Sequence, residues 1–128
     1  VQDGKVALSI ESGKLGNVQK ESVAEIKNSV YLMLKDLKMY TKQNLKTVKK
    51  IINYNQQAYV KSDVQGIFYS NLKAGDDVKE GQVVGYVTDF FGKKIKEFKS
   101  PVTGKILYKI GTPPINLNET VFCIAYKS

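Results

Sequence analysis

The chain contains few residues that could carry covalent or metal chemistry, and their types exclude several reaction classes. The 128 residues include no histidine and one cysteine, Cys123. Nucleophilic catalysis by Ser–His or Cys–His pairs and histidine-rich zinc sites are therefore excluded within this chain. One cysteine forms neither a thiolate metal site nor a disulfide framework. A metal ion would have to be held by carboxylates or by residues outside this sequence.

The single cysteine lies in an apolar run at residues 121–125. This run predicts a buried strand near the end of the chain. Thiols in apolar surroundings are inert, whereas reactive thiols lie in electropositive and partly exposed places. We therefore expect Cys123 to be a small buried core residue rather than a nucleophile.

Glu11 is the acidic residue whose position best suits proton transfer. It directly follows the apolar run Val6–Ile10, which predicts a strand buried on both faces. A carboxylate at the carboxyl end of such a strand can face a crevice and act as a general acid or base. From the residues alone, the alternative is that Glu11 only ends the strand or caps the following loop.

A loop and a helix follow Glu11. Gly13 and Gly16 predict the loop, and apolar residues at helical spacing then predict one face of an amphipathic helix within residues 18–39. Ser22 and Glu25 offer a capping box, although the helix could also start near Asn17. The apolar helix positions are Val23, Ile26, Val30, Leu34 and Leu37.

A strand followed by a helix forms one α/β unit, which needs a sheet to pack on. Nothing else in the sequence supplies that sheet, so residues 1–57 predict the end of a larger domain. The chain begins at Val1 without a methionine or a leader, and we therefore expect it to be a piece of a longer protein. The compartment stays open, with the cytoplasm favoured.

The second half of the chain repeats itself. Two copies of one small β unit are predicted, each with a strand opening at glycine and a turn residue that tolerates positive φ. Neither copy could bury its apolar face alone, so the two must interlock into a barrel. Val78, Gly81, Val84 and Val87 recur 37 positions later as Ile115, Asn118, Val121 and Ile124, and the triplet 64–66 recurs 38 positions later at 102–104.

Strands are predicted from Tyr59 onward, separated by turn residues. Residues 41–57 are polar and rich in Asn and Gln, which predicts a connector with a possible short element at Val48 to Ile52. Residues 88–94 predict a hairpin tip in which Gly92 takes positive φ. The predicted strands are 59–60, 66–69, 82–87, 94–98, 104–108 and 121–125.

The net charge of +8 suggests a nucleic-acid partner, but its composition argues against one. All 20 cations are lysine, and arginine is the residue that makes bidentate contacts to phosphate and guanine. The lysines are spread along the chain, apart from four within residues 42–50, where we expect an exposed helix or linker. We therefore predict a solvated basic surface without a nucleic-acid or membrane partner, and keep binding to nucleic acid or acidic surfaces as the third hypothesis.

The segments 75–85 and 100–104 resemble the barrel-sandwich hybrid that lipoyl and biotinyl carriers share with several unrelated proteins. A carrier needs a lysine in a hairpin tip flanked by methionine or acidic residues, where a cofactor arm can swing. Lys93 and Lys94 do lie at the tip, but without a neighbouring methionine. The alternative function is therefore a carrier or a transport-adaptor module, whereas two solvated lysines remain the simpler interpretation.

The whole arrangement resembles the C-terminal portion of the succinylglutamate desuccinylase/aspartoacylase family. The resemblance rests on the glutamate-x-glycine step Glu11–Gly13 after a strand, the following helix, the tip 89–92, the segment 100–104 and the Pro-Pro-Ile-Asn turn at 113–116. Members of that family are zinc-dependent deacylases that cleave the amide of an N-acyl amino acid. They have a carboxypeptidase-like α/β domain followed by a β domain that narrows access to the metal.

The resemblance implies that Glu11 is the catalytic general base and then acid. It also implies that the zinc ligands, two histidines and a glutamate, lie upstream of Val1, so that no residue of this chain binds the metal. The expected partners are a small N-acyl amino acid and the missing part of the catalytic domain. By itself, the fragment is expected to be inactive.

The predicted fold class is α+β. Residues 1–57 are expected to be a strand–helix remnant of an α/β zinc-peptidase-like domain plus the connector. Residues 58–128 are expected to form an all-β barrel-sandwich hybrid of the lipoyl/biotinyl type.

Overall fold

The computed structural model describes residues 3–14, 16–41, 44–47 and 52–128. The chain divides into two compact units, residues 1–51 and 52–128. The possible short element at Val48 to Ile52 lies almost wholly outside the described residues, as does much of the lysine run 42–50. Among the described residues, no helix has the length and apolarity needed to cross a membrane.

The first unit contains one helix, α1 (Lys20–Asp36). The helix lies within the predicted range, and it ends where Lys38 takes the left-handed conformation at φ 59°. The Leu37 and Met39 amides then donate to the carbonyls of Met33 and Leu34, which satisfies two acceptors of the last turn.

The predicted capping box is wrong. The N-cap is Gln19, and its side chain makes no capping hydrogen bond. Ser22 and Glu25 lie inside the helix, whose first turn begins earlier than that pair requires. Extending the helix toward Lys20 adds backbone hydrogen bonds, such as the one from the Val23 amide to the Gln19 carbonyl.

The predicted buried strand at Val6–Ile10 is also wrong. The segment pairs with no strand among the described residues, and Val6 and Leu8 are 94% and 73% exposed. The apolar face of α1 is only partly covered, because none of its residues is buried and Val23 and Val30 are 52% and 40% exposed. A strand exists only through a neighbour that accepts and donates its backbone hydrogen bonds, and the described part of this unit offers none.

The second unit consists of eight strands in two antiparallel four-stranded sheets. One sheet has the order β1-β8-β6-β3 and the other has the order β5-β4-β2-β7. The predicted strands are confirmed, whereas the two sheets do not close into the predicted barrel. The strands are β1 (Gln56–Lys61), β2 (Gly66–Tyr69), β3 (Asp77–Val78), β4 (Val83–Thr88), β5 (Lys94–Lys99), β6 (Gly104–Lys109), β7 (Pro114–Ile115) and β8 (Thr120–Tyr126).

The predicted internal repeat is confirmed by the topology. Exchanging β1–β4 with β5–β8 converts the strand order of one sheet into that of the other. Each sheet therefore takes strands from both copies, and the two copies interlock. The three paired apolar positions of the repeat, 78/115, 84/121 and 87/124, and the paired turn position 81/118 lie in matching places. All six apolar side chains are at most 2% exposed.

The core lies between the sheets and is not symmetric in side-chain size. Phe68 fills space above Gly85 in one copy, where an added Cβ would lie 2.6 Å from the Phe68 ring. The equivalent pair in the other copy is Ile106 and Phe122, so the large residue has moved to the opposite strand. Phe68 and Phe122 then meet edge to face, with ring centroids 5.7 Å apart. Alternation of large and small residues lets the two copies fill one core.

Candidate functional site

Glu11 lies in an exposed segment that is neither helix nor strand, before the turn at Gly13. Gly13 has φ +104°, and a Cβ at this position would lie 3.4 Å from the Ser22 hydroxyl oxygen. The chain therefore passes against the first turns of α1 two residues after Glu11, and the predicted role of Gly13 in turning the chain is confirmed. None of the ion pairs or side-chain hydrogen bonds among the described residues includes Glu11. Its carboxylate is not used to hold the described fold together, and its catalytic role stays a prediction.

The described residues do not fit a zinc ion. No group of three His, Cys, Asp or Glu side chains lies close enough together there to hold a metal, and the sequence has no histidine. The carboxylates of this chain are dispersed or engaged elsewhere.

An open cleft of about 770 Å³ lies between α1 and residues 44–47. Glu21 and Glu25 line it on the helix side. Asn28 joins its two walls, because its side-chain amide donates to the Lys46 carbonyl at 2.8 Å and accepts from the Lys46 amide at 3.1 Å. Glu11 is not among the described residues that line this cleft, so the predicted catalytic residue and the cleft are separate features.

The hairpin between β4 and β5 carries the two lysines that a carrier would need. Lys94 binds the Glu97 carboxylate at 2.6 Å and lies 5.1 Å from the centre of the Tyr86 ring. The hydrogen bond from Lys94 lowers the pKa of Glu97. Lys94 is thus partly tethered to the sheet surface, and Lys93 lies closer to the turn.

Asp89 builds the turn itself. Its carboxylate accepts hydrogen bonds from the amides of Phe91 and Lys93, both at 2.9 Å. The Gly92 amide also donates to the Asp89 carbonyl, and Gly92 takes φ +88° as predicted. The turn presents Phe90 and Phe91 to solvent, with 78% and 98% of each side chain exposed. Sequence reasoning placed the turn but gave no signal that both rings would be uncovered.

Cys123 is buried in β8 between Tyr59 and Tyr108 of the two neighbouring strands. Its exposed fraction is 1%, which confirms the prediction of a buried core residue. Burial raises the pKa of the Cys123 thiol, and this outweighs the lowering by hydrogen bonds with the two tyrosines. The thiol is therefore kept protonated, and a protonated buried thiol is a poor nucleophile.

Two buried serines were missed by sequence reasoning. Ser62 and Ser100 are at most 2% exposed, and each hydroxyl donates to the carbonyl two residues later, on Val64 and Val102. The repeat contained a signal that the two serines are equivalent, since both copies read Ser-x-Val-x-Gly. These serines hold the strand crossings and are structural.

Comparison with known proteins shows which solved structures share this architecture. No protein-family model matches the sequence, and comparison with curated proteins gives no match. Solved structures do match. The ectoine utilization protein EutE (DoeB) from Ruegeria pomeroyi, in its product-bound form, has a TM-score of 0.77 at 16% identity, over 88% of this chain and 35% of that protein.

Two further structures carry family names. A succinylglutamate desuccinylase/aspartoacylase from Rhodobacter sphaeroides matches with a TM-score of 0.72 at 17% identity, over 88% of this chain and 38% of its own. A succinylglutamate desuccinylase from Silicibacter sp. TM1040 matches with a TM-score of 0.68 at 16% identity, over 88% and 35%. This chain therefore has the fold of a portion of the succinylglutamate desuccinylase/aspartoacylase family, which confirms the predicted resemblance at the level of fold. It spans slightly more than a third of the length of these proteins.

Proposed function

We propose that this chain is the C-terminal part of a zinc-dependent deacylase that hydrolyses the amide bond of an N-acyl amino acid. The observation that carries the proposal is the fold shared over 88% of the chain with proteins named succinylglutamate desuccinylase and aspartoacylase. The zinc ligands in this proposal come from residues outside the chain, because the described residues hold no set that fits the metal. The fragment alone is then inactive.

Glu11 is the proposed proton-transfer residue. A glutamate contributes to hydrolysis by accepting a proton from the attacking water and returning it to the leaving amine. The exposed carboxylate of Glu11 suits this role, since it is engaged in none of the ion pairs found among the described residues. The turn at Gly13 against α1 fixes the direction of the chain directly after it.

The β unit is proposed to be a barrel-sandwich hybrid that narrows access to the catalytic centre of the whole protein. The interlocked copies and the two sheets related by the internal repeat support this assignment. In this role the unit would admit acyl amino acids and exclude polypeptides. The unit contributes a rigid scaffold, because its core residues are almost completely buried.

A lipoyl-like carrier is the weaker candidate. A swinging cofactor arm requires a lysine that is free to extend from the hairpin tip. Lys94 instead binds Glu97 and lies beside Tyr86. The tip also presents two exposed phenylalanines next to these lysines. We therefore favour the deacylase.

The test replaces Glu11 by glutamine in the full-length protein from which this chain comes. We expect hydrolysis of N-acyl amino acids to fall by about 10²–10⁴-fold, because the amide cannot transfer the proton. Glu80→Gln is the matched control, since Glu80 is an exposed residue of the turn between β3 and β4 and should leave activity unchanged. Activity of Glu11→Gln within about tenfold of the parent would show that Glu11 is not the acid/base.

A further inference from the structure

The tip of the β4–β5 hairpin holds two large apolar side chains in solvent. Phe90 and Phe91 are 78% and 98% exposed. The turn closes without their rings, because the Asp89 carboxylate accepts hydrogen bonds from the amides of Phe91 and Lys93, both at 2.9 Å. Neighbouring apolar side chains that stay exposed on a preformed turn mark an interaction surface.

The tip lies at the opposite end of the β unit from the residues that precede β1 and follow β8. β1 begins where the side chains of Asn55 and Ser128 are hydrogen-bonded at 3.1 Å. The strand then runs for six residues, which is about 17–20 Å. Residues 62–65 lead from its end to Gly66, which packs closely against the carbonyl of Thr88, the last residue of β4. The residues before β1 and after β8 therefore do not cover the tip.

A further exposed apolar side chain lies at the same end of the β unit. Leu117, in the turn between β7 and β8, is 57% exposed. The Asn118 amide of this turn donates to the carbonyl of Ser62, directly after the end of β1, at 2.7 Å. This end of the unit, which we call the apical end, thus carries Phe90, Phe91 and Leu117.

The internal repeat provides a comparison for the apical end. The positions 37 residues after the two phenylalanines are Lys127 and Ser128, and the position equivalent to Leu117 is Glu80. All three are exposed. The turn at Glu80 folds like that at Leu117 with a charged side chain in place of an apolar one, so turn geometry does not demand an apolar residue there. The exposed apolar side chains are a property of the apical end and not of the repeat.

The charged groups of the apical end leave lysines available to an anionic surface. Each carboxylate there accepts a hydrogen bond from within the fold, two from lysines and two from backbone amides, and the four are Asp63, Glu97, Asp89 and Glu119. Lys61 and Lys93 are exposed and form none of the ion pairs found among the described residues. The whole chain has a net charge of +8, which attracts it to negatively charged surfaces over longer distances.

We propose that the apical end docks on the surface of a lipid bilayer that contains anionic lipids. The rings of Phe90 and Phe91 enter the boundary between headgroups and acyl chains, and the amines of Lys61 and Lys93 meet the headgroups. The protein lies on the membrane and does not span it. This proposal does not depend on the proposed deacylase activity. It departs from the sequence-based expectation of no membrane partner, which took no account of the exposed rings.

The arrangement favours a bilayer over a protein as the partner. A protein would have to supply a pocket matched to two adjacent rings on a turn, whereas the boundary region of a bilayer accepts apolar rings without a matched shape. The available cations are lysines, whose long apolar stems let the amine reach headgroups while the backbone stays at a different depth. The chain has no arginine, the residue that suits fixed bidentate contacts with a protein carboxylate.

Co-sedimentation with vesicles tests the proposal. The probes are vesicles of phosphatidylcholine with or without phosphatidylserine, and binding should be at least about tenfold stronger when phosphatidylserine is present. The variant Phe90→Ser/Phe91→Ser should weaken that binding by at least about tenfold, because ring insertion is lost. The matched control, Val83→Ser/Leu107→Ser, removes half-exposed apolar side chains elsewhere on the β unit and should bind as the unmodified chain does.

A pair of charge variants locates the contact. Lys61→Gln/Lys93→Gln removes two charges from the apical end, and Lys79→Gln/Lys127→Gln removes two from exposed positions elsewhere on the β unit. The net charge of the two variants is the same, so a difference between them reports the place of contact. The apical variant should bind phosphatidylserine vesicles more weakly than the other.

Tryptophan fluorescence measures the insertion directly, since the chain contains no tryptophan. The emission of Phe91→Trp should move to shorter wavelengths when phosphatidylserine vesicles are added. The emission of Tyr126→Trp, at the end of the unit where β1 begins, should not move.

Several results would overturn the proposal. One is binding that the phenylalanine variant and its control weaken equally, and another is an unchanged emission of Phe91→Trp. A doubled mass in solution that the phenylalanine variant abolishes, without vesicle binding, would show that a second copy covers the rings. Failure of the longer protein to bind the same vesicles would show that other parts of that protein cover them.

Discussion

Gly81 and Asn118 occupy equivalent turns of the two copies and adopt the same unusual backbone conformation. Their φ angles are +77° and +68°. The Gly81 amide donates to the Ser100 carbonyl at 2.8 Å, and the Asn118 amide donates to the Ser62 carbonyl at 2.7 Å. The left-handed conformation is therefore set by the repeated strand crossing, and glycine and asparagine are two solutions to the same requirement.

This equivalence predicts how the first turn responds to substitution. Gly81→Asn should change the free energy of unfolding by less than about 0.5 kcal/mol, because the space around Gly81 is open and asparagine already serves at the equivalent turn. Gly81→Val should cost about 1–2 kcal/mol, since a β-branched residue is strained at positive φ. Urea unfolding of the two variants measures the difference.

The second turn supplies the control. Asn118→Val should lower the free energy of unfolding by about as much as Gly81→Val, since the backbone conformations of the two turns match. Equal stabilities of the asparagine and valine variants at position 81 would show that the turn relaxes out of the left-handed conformation, and the argument from the repeat would fail.

Two other glycines of the repeat serve a different purpose. A Cβ on Gly66 would lie 2.2 Å from the Thr88 carbonyl oxygen, and a Cβ on Gly104 would lie 2.2 Å from that of Ala125. Thr88 and Ala125 are themselves equivalent positions of the two copies. These glycines let a strand cross closely over its neighbour. The repeat of 38 residues identified both of them in the sequence.

At the level of elements, the β4–β5 hairpin has one residue that holds the turn and two neighbouring residues that are exposed. Asp89 accepts two backbone hydrogen bonds that close the turn. Phe90 and Phe91 follow directly, and both are largely exposed. The turn therefore does not depend on burying the two rings.

Substitutions in the hairpin should reflect this division. Asp89→Ala should lower the free energy of unfolding by about 1–2 kcal/mol, because two backbone amides lose their acceptor. The double variant Phe90→Ser/Phe91→Ser should stay within about 0.5 kcal/mol of the parent, since it removes only exposed surface. Thermal or urea unfolding compares the two. A larger loss for the phenylalanine variant would mean that the rings are buried in the protein in solution.

The helix shows which element properties are local. The 3.6-residue spacing of apolar side chains predicted its range, and the structure shows that it ends before Lys38, which takes the left-handed conformation. The capping residue could not be predicted from the sequence, because Ser22 and Glu25 match the capping pattern equally well when they lie inside a helix. Capping depends on where the chain enters the first turn, and Gly13 and Gln19 decide that here.

At the level of the whole molecule, burial is concentrated in the β unit. β8 has five buried residues in succession and pairs with strands on both sides. α1 has none. The position of β8 between β1 and β6 makes it the centre of its sheet, and the apolar sequence of this strand reflects burial on both faces.

Local stability should follow this distribution. Amides of β8 should exchange with solvent only on global unfolding of the β unit, whereas those of α1 should exchange through local opening at a much lower free energy. Native-state hydrogen exchange at low denaturant measures both. Equal protection of α1 and β8 would show that the apolar face of the helix is covered in solution, contrary to the exposure described for it.

The sequence by itself determined the features that repeat or recur at short range. The two copies, their strands, the turn glycines, the helix range and the burial of Cys123 all followed from spacing, because periodicity and turn chemistry act over a few residues. The family resemblance followed from the order of these motifs. The position of Glu11 along the chain was also given, while its catalytic role awaits the activity measurement.

Only the tertiary structure decided which edges are paired and which surfaces are covered. It left Val6–Ile10 without a partner strand in the part of the chain that the structure describes, exposed Phe90 and Phe91, and kept the two sheets from closing into a barrel. It also made the equivalent strands β1 and β5 the edges of the two sheets. These properties depend on what each segment meets across space, and strand pairing and burial are interactions between residues far apart in the chain.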